Sequence, residues 1–280
     1  MRNPLAALLL LFNMAAPAMA QETALKIGQD RFNFDYQDAV KIRPITVWSY
    51  RPKEMSPNAA VLFVMHGVQR DAERYRNEWQ PYAERAKALL LVPEFAAENF
   101  PGGGGYAAAK QDAASAALEK LFDHAIKLTG LNASDYLLYG HSAGAQFVHR
   151  FILSHPKARA KTAVAANAGW YMMPDFEVRF PYGLKASGLD ATDLTAALGK
   201  KLLILLGDKD VDPKHPQLNR SAGAMRQGAH RLARGENFFR AARLAASQLN
   251  APFQWEIATV AGADHNNAKM AVAAAPLLLK

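Results

Sequence analysis

Ser142 stands in Gly140-His141-Ser142-Ala143-Gly144, a G-x-S-x-G pattern. A serine hydroxyl attacks a carbonyl only when it projects from the backbone and a base takes its proton. The pattern meets the first need. Glycines on both sides let a strand turn sharply into a helix with the hydroxyl at the apex, and bulkier neighbours would collide there. The helix that follows presents unpaired N–H groups and its positive end to a developing oxyanion. Five-residue patterns arise by chance, so the flanks decide. An apolar run, 136–139, precedes the motif, and an amphipathic stretch follows it. A glycine-flanked helix cap would not account for both glycines together with those flanks.

The base must be sought among eight histidines. His141 lies inside the turn and is expected to point away from the Ser142 hydroxyl. His149 and His155 belong to the following helix, and His124 and His230 also fall in helical stretches; these five read as surface or packing residues. His215 sits in a polar loop. His265 closes Val260-Ala261-Gly262-Ala263-Asp264-His265, a loop of small residues after the last apolar strand, and can carry an imidazole over the sheet edge. The carboxylate that orients it should also follow a strand. Run 202–206 leads into Gly207-Asp208-Lys209-Asp210-Val211-Asp212-Pro213. Asp210 is the preferred acid, while Asp208 and Asp212 suit turn-stabilising roles. The resulting order is serine, aspartate, histidine. A second oxyanion donor is expected from His66-Gly67-Val68-Gln69, where the Val68 N–H would join that of Ala143. His66 is then structural, and Gln69 could donate through its amide.

These groups need a scaffold. Runs 45–50, 60–66, 88–92, 136–139, 162–166 and 202–206 are short and apolar without strict alternation, as strands buried on both faces of a parallel sheet are. Segment 253–257 alternates, as expected nearer an edge. Helical periodicity marks 114–128, with Gly130 as its cap, then 144–152, 238–249 and 268–279. The fold class expected is α/β, a mostly parallel central sheet with helices on both faces. The chemical residues then gather at the strands' carboxyl ends.

The first twenty residues read as a secretory signal. Arg2 precedes a short apolar run, and Ala18-Met19-Ala20 ends it. Residues 21–280 are left as a single catalytic domain, periplasmic or secreted. Half of the 280 residues are hydrophobic, which suits a sizeable core, and there is no Cys, which excludes disulfides and thiolate chemistry. The formal charge of +8 is dispersed and forms no nucleic-acid stripe. The Pro101-to-Tyr106 glycine loop fits neither phosphate-binding fingerprint and suits a flexible loop near the site rim. No compact ligand set points to a metal, so neither metal nor cofactor is expected, and no segment is long enough to span a membrane.

His66-Gly67 after its strand, Gly140 to Gly144, Gly207 to Asp210 and Asp264-His265 resemble the α/β-hydrolase superfamily over residues 40–280. Within it, Met65-His66-Gly67-Val68-Gln69-Arg70-Asp71-Ala72 with Tyr75-Arg76, Pro93-Glu94-Phe95, Asn167-Ala168-Gly169-Trp170-Tyr171 and Phe180-Pro181-Tyr182-Gly183-Leu184 resemble bacterial secreted esterases related to poly(3-hydroxybutyrate) depolymerases. The resemblance implies hydrolysis of small or oligomeric carboxylic esters through an acyl-enzyme. A peptidase or amidase on the same triad, and a non-catalytic envelope-binding protein, are the alternatives. Trp170 and Tyr171 read equally as walls of a substrate pocket and as packing under a loop. The signal reading predicts a mature N-terminus at Gln21. Mass spectrometry of the exported protein checks it, and soluble protein that retains Met1 would contradict it.

Overall fold

The computed structural model describes residues 25–102, 106 and 113–279. The signal segment 1–20, the cleavage point at Gln21 and the glycine run 103–105 lie outside the described residues.

Eight strands form one sheet: β1 (Gly28–Gln37), β2 (Ile42–Arg51), β3 (Val61–Met65), β4 (Leu89–Glu94), β5 (Tyr136–His141), β6 (Ala160–Ala166), β7 (Leu202–Gly207) and β8 (Trp255–Val260). Their order is β1-β2-β4-β3-β5-β6-β7-β8. From β4 onward every pair is parallel. The expected mostly parallel sheet is therefore present, with one correction. Run 45–50 lies in β2, which is antiparallel to both β1 and β4. The cause is a tight hairpin that the apolar runs did not reveal. The Asp38 carboxylate accepts from the Val40 and Lys41 N–H groups at 2.8 and 2.7 Å and folds β1 back on β2. Strand β1 alternates half-buried Phe32, Phe34 and Tyr36 with exposed polar residues, so it wets one face.

Helices α1 (Ala72–Ala86) and α7 (Asn267–Leu278) cover one face, where Tyr75, Trp79, Ala83, Met270 and Ala274 bury against Leu62, Val64 and Leu90. The other face is covered by α2 (Ala113–Thr129), α3 (Ala143–Ser154), α4 (Ala191–Leu198) and α6 (Arg231–Leu249), over Phe63, Leu138, Ala165 and Ile204. A one-turn helix, α5 (Ala222–Met225), precedes α6. Strand β3 is wholly buried because both faces are roofed. Gly130 ends α2 at φ +68°, its N–H donating to Ile126. The short helix α4 escapes a periodicity search and is fixed by its cap instead. Asp190 accepts from the Thr192 and Asp193 N–H groups while Asp193 returns the bond. Among the described residues, no helix is long and apolar enough to cross a membrane.

Parallel strands share a direction, so the ends of β3, β5, β6, β7 and β8 lie along one edge of the sheet. The loops leaving that edge carry Val68, Ser142, Asn167, Asp210 and His265.

Candidate active site

Strand β5 passes into α3 through Ser142, whose backbone sits at φ 58°, ψ −115°. A non-glycine residue held there carries strain of about 1–3 kcal/mol, sustained only where the surroundings fix it. They do: the Ser142 N–H donates to Ala166 at 3.0 Å, and its carbonyl accepts from Gln146 at 3.1 Å. Neither flanking glycine is there for an unusual φ. A Cβ on Gly144 would fall 2.1 Å from the Met65 carbonyl oxygen, and one on Gly140 would fall 2.3 Å from that of Gly144. Side chains are excluded so that the turn can press against the end of β3.

The imidazole of His265 lies over this turn. Its Nε2 is 2.9 Å from Ser142 Oγ, and its Nδ1 is 2.7 Å from Asp210 Oδ2. With the ring proton on Nδ1, donated to Asp210, Nε2 is left to accept the serine hydroxyl proton. The structure thus brings Ser142, His265 and Asp210 into one hydrogen-bonded line. Asp208 stands outside it and accepts from the Gly262 N–H at 2.8 Å, joining the β7 and β8 loops. Asp212 accepts from the Lys214 N–H two residues on.

The loops that carry Asp210 and His265 are fastened together. The Lys209 N–H donates to Ala263 at 2.9 Å, and a Cβ on Gly207 would strike that same carbonyl. Asn167, buried at the end of β6 with φ 51°, accepts from the Gly207 N–H at 2.7 Å and donates to the Asp264 carbonyl at 3.1 Å. One amide therefore ties the stem of the Asp210 loop to the residue before His265. Asparagine suits both tasks, since it tolerates left-handed backbone and offers a donor and an acceptor. Sequence reading noted Asn167 only within a family-like segment and gave it no role.

Burial by itself would raise the Asp210 carboxyl. The hydrogen bond from His265, the charges of His265 and Arg231 and a bond from Arg231 outweigh it and hold the carboxyl below its ordinary value. His141 is buried beside His265, ring centroids 4.7 Å apart, with Nδ1 3.2 Å from the Tyr75 hydroxyl. Burial, helped by the charges of His265 and Arg231, depresses it far below the usual histidine range. It lines the cavity and does not bond the Ser142 hydroxyl, as the sequence reading expected. His66 is structural too: Nδ1 donates to the Gly67 carbonyl at 2.9 Å, and Nε2 accepts from the Phe95 N–H at 3.1 Å. Burial pushes it down to about 4. His149, with its Nε2 accepting from the Met172 N–H at 3.0 Å, is pushed down to about 3 by burial and then by Arg150.

The turn after β3 closes through Arg70 N–H to the Gly67 carbonyl at 3.2 Å, and a Cβ on Gly67 would come within 3.9 Å of Ser142 Cβ. The Val68 N–H thus lies on a loop against the serine, and the Ala143 N–H opens α3. Among the described residues neither donates to a backbone carbonyl. A cavity of about 180 Å³ adjoins Ser142, bounded by Val68, Gln69, Arg74, Gln217, Asn266 and Asn267 among others. Of these, only Val68 and Gln69 were singled out as site residues from sequence; the rest lie in helical or polar-loop stretches with no motif. Tyr171 requires a correction. It is completely buried, its ring stacked on Phe238 at 4.4 Å and beside His149, so it packs under the loop and cannot wall a pocket. Trp170 packs edge-on to Tyr182 and beneath the Arg150 guanidinium, and does not line the cavity. A larger cavity of about 480 Å³ opens at the opposite, amino-terminal edge of the sheet, where no serine or histidine among the described residues lines it. Among the described residues no group of three His, Asp or Glu could hold a metal ion.

Among solved structures the chain is similar to poly(aspartic acid) hydrolase-1 from Sphingomonas sp. KT-1. Identity is 42%, the match covers 91% of this chain and all of that one, and the TM-score is 0.86. It is 35% identical to LpqC, a poly(3-hydroxybutyrate) depolymerase from Bordetella parapertussis, over 90% of this chain and 89% of that one, with a TM-score of 0.83. Carboxyl esterase 2 from Tuber melanosporum shares the fold at 16% identity, covering 95% of this chain and 93% of that one, with a TM-score of 0.58. No protein-family model matches the chain, and no curated protein does.

The buried histidines have a thermodynamic consequence. His66 and His149 bind protons more weakly folded than unfolded, so in acid the unfolded chain takes up more protons. Their contribution to stability is full above the unfolded value near 6.5 and is lost as pH falls toward 4. At about 1.4 kcal/mol per unit, the melting temperature should fall by about 10 °C or more between pH 7 and pH 4.5. A melting temperature flat across that interval, measured by calorimetry, would contradict this assignment.

Proposed function

This chain belongs to the α/β-hydrolase family that includes poly(aspartic acid) hydrolase-1 and the depolymerase LpqC, and from that premise we propose that it hydrolyses carboxylic esters through an acyl-enzyme formed on Ser142. The observation that carries the reading is the unbroken line from Ser142 Oγ through His265 to Asp210, 2.9 and 2.7 Å, beside a serine held in strained backbone. All three residues of the line are present and hydrogen-bonded in this chain, which also argues against the envelope-binding alternative.

In the proposed cycle His265 Nε2 accepts the Ser142 proton as Oγ attacks the ester carbonyl. Asp210 holds the imidazole in the required tautomer and stabilises the imidazolium. The N–H groups of Val68 and Ala143 receive the oxyanion. The imidazolium then gives its proton to the leaving alkoxide, and the acyl group stays on Oγ. Water enters, His265 takes its proton, and collapse of the second tetrahedral species releases the acid and restores the serine. Gln69 lines the cavity beside Ser142, which supports a contact with the substrate. Polar Gln217, Asn266 and Asn267 around a small cavity favour a short, hydrophilic substrate over a long alkyl chain. Export through the 1–20 signal, to the periplasm or beyond, belongs to the same reading.

Amide hydrolysis is the second reading. The same triad serves it, and the likeness to a poly(aspartic acid) hydrolase favours it, because poly(aspartic acid) is linked by amides. Parallel assays on a nitrophenyl ester and on an aspartyl oligomer separate the two. Turnover of the oligomer at a kcat/KM above that of the ester would replace the ester reading.

The acid is tested by two variants. In Asp210→Asn the wrong imidazole tautomer is favoured, and kcat is expected to fall about 10⁴-fold with the fold retained. In Asp208→Asn the side-chain carbonyl still accepts from Gly262, so stability should change by less than about 1 kcal/mol and activity little. A dead Asp208→Asn beside an active Asp210→Asn would move the acid two residues back.

A further inference from the structure

Arg231 opens α6 with 1% of its surface exposed. Its Nη1 donates to Asp210 Oδ1 at 3.1 Å, leaving Oδ2 to His265. Its Nη2 meets Nδ1 of His215 at 3.2 Å, and the His215 ring stands edge-on to His265, centroids 5.4 Å apart. The next backbone N–H, that of Leu232, donates to the Asp210 carbonyl at 3.3 Å. Helix α6 therefore grips Asp210 by main chain and side chain together. A buried guanidinium is costly to keep, and here its Nε has no hydrogen-bond partner among the described residues. Arg231 is not among the residues lining the cavity beside Ser142.

We propose that Arg231 is a positioning residue. It fixes the rotation of the Asp210 carboxylate so that Oδ2 faces His265. Through His215 it holds the loop after β7 against the base, and its bond and charge compensate the buried Asp210 carboxylate. The proposal rests on the triad reading given above. The groups that face this centre are Asp210 and His215 from the β7 loop, His141 from β5 with Arg74 of α1 behind it, and Arg231 from α6. Asp212 also acts on Arg231 and His215 through its charge. Of these, Arg231 is the buried cation bonded to the Asp210 carboxylate.

The sign follows from the charges. Removing Arg231 takes away a charge and a hydrogen bond that hold the Asp210 carboxyl down, which favours a proton there. A protonated Asp210 no longer holds His265 in the tautomer the base needs, so the acid limb of the pH profile must move to higher pH. In Arg231→Met, kcat for a nitrophenyl ester is expected to fall 10- to 100-fold with KM within threefold, and the acid limb to rise by about one unit. In Arg231→Lys the charge remains but the fork is lost, so kcat should fall about tenfold with the acid limb unmoved. A purely structural arginine would lower the melting temperature of both variants without shifting the limb or separating Lys from Met; that pattern would overturn the proposal. Should Arg231→Met not fold, Arg231→Lys carries the test alone, and a kcat within twofold of the parent would overturn it. Ser142→Ala runs beside them. Turnover surviving in Ser142→Ala would remove the triad reading itself. A dead Ser142→Ala with an unmoved profile in Arg231→Met would remove only the role of Arg231.

Discussion

The side chain of Asn167 joins the loop that carries Asp210 to the loop that carries His265 by accepting from Gly207 and donating to Asp264. Everything at the sheet's carboxyl edge depends on that approach. Parallel pairing from β4 to β8 brings the strand ends to one edge, but strands spaced a few ångströms apart do not by themselves set an imidazole against a hydroxyl. The remaining placement comes from close backbone contact. Gly144 lets α3 touch the end of β3, Gly207 lets the β7 turn touch the β8 loop, and the Asp208 carboxylate adds a third tie through Gly262. The strain at Ser142 is sustained because its N–H and carbonyl are both engaged. A rigid edge of this kind presets the geometry that attack requires.

Burial sets several histidines apart from His265, which the sequence already singles out. His66, His141 and His149 are completely or almost completely buried, and loss of water keeps each neutral, so they serve as shaped hydrogen-bonding parts. His265 has the carboxylate of Asp210 at 2.7 Å instead, a partner able to stabilise a proton acquired during attack. Asp210 keeps its charge despite burial because donors from α6 and from His265 claim both of its oxygens. The protein thus holds one ionised carboxylate in a buried setting, bonded to the imidazole that lies over the serine.

The parallel strands and the G-x-S-x-G turn were legible because burial on both faces and sharp strand-to-helix turns restrict residue choice locally. The antiparallel entry of β2 was not, since a hairpin is decided by a four-residue turn around Asp38 whose signal is weak beside the apolar run. Helix α1 also escaped notice: polar residues and Pro81 interrupt its periodicity, although Tyr75, Arg76 and Trp79 are buried. Within the site, Ser142, Asp210 and His265 could be picked out because each follows a strand. Asn167 and Arg231 could not be given their roles, because those depend on partners 40 to 97 and 16 to 21 residues away. Tyr171 shows the converse. An aromatic after a strand has no sequence mark that separates a pocket wall from a loop support, and here stacking on Phe238 decided for support.

Hydrolysis by this triad requires Ser142 to be an activated nucleophile. Treating the folded protein with a fluorophosphonate at neutral pH, then mapping the adduct by peptide mass spectrometry, tests that directly. Reaction at a hydroxyl without a base is slow, so the account predicts one stoichiometric adduct on the peptide containing Ser142, lost in Ser142→Ala and strongly slowed in Asp210→Asn. An unlabelled parent protein, or an adduct that maps to another residue and persists in Ser142→Ala, would contradict it.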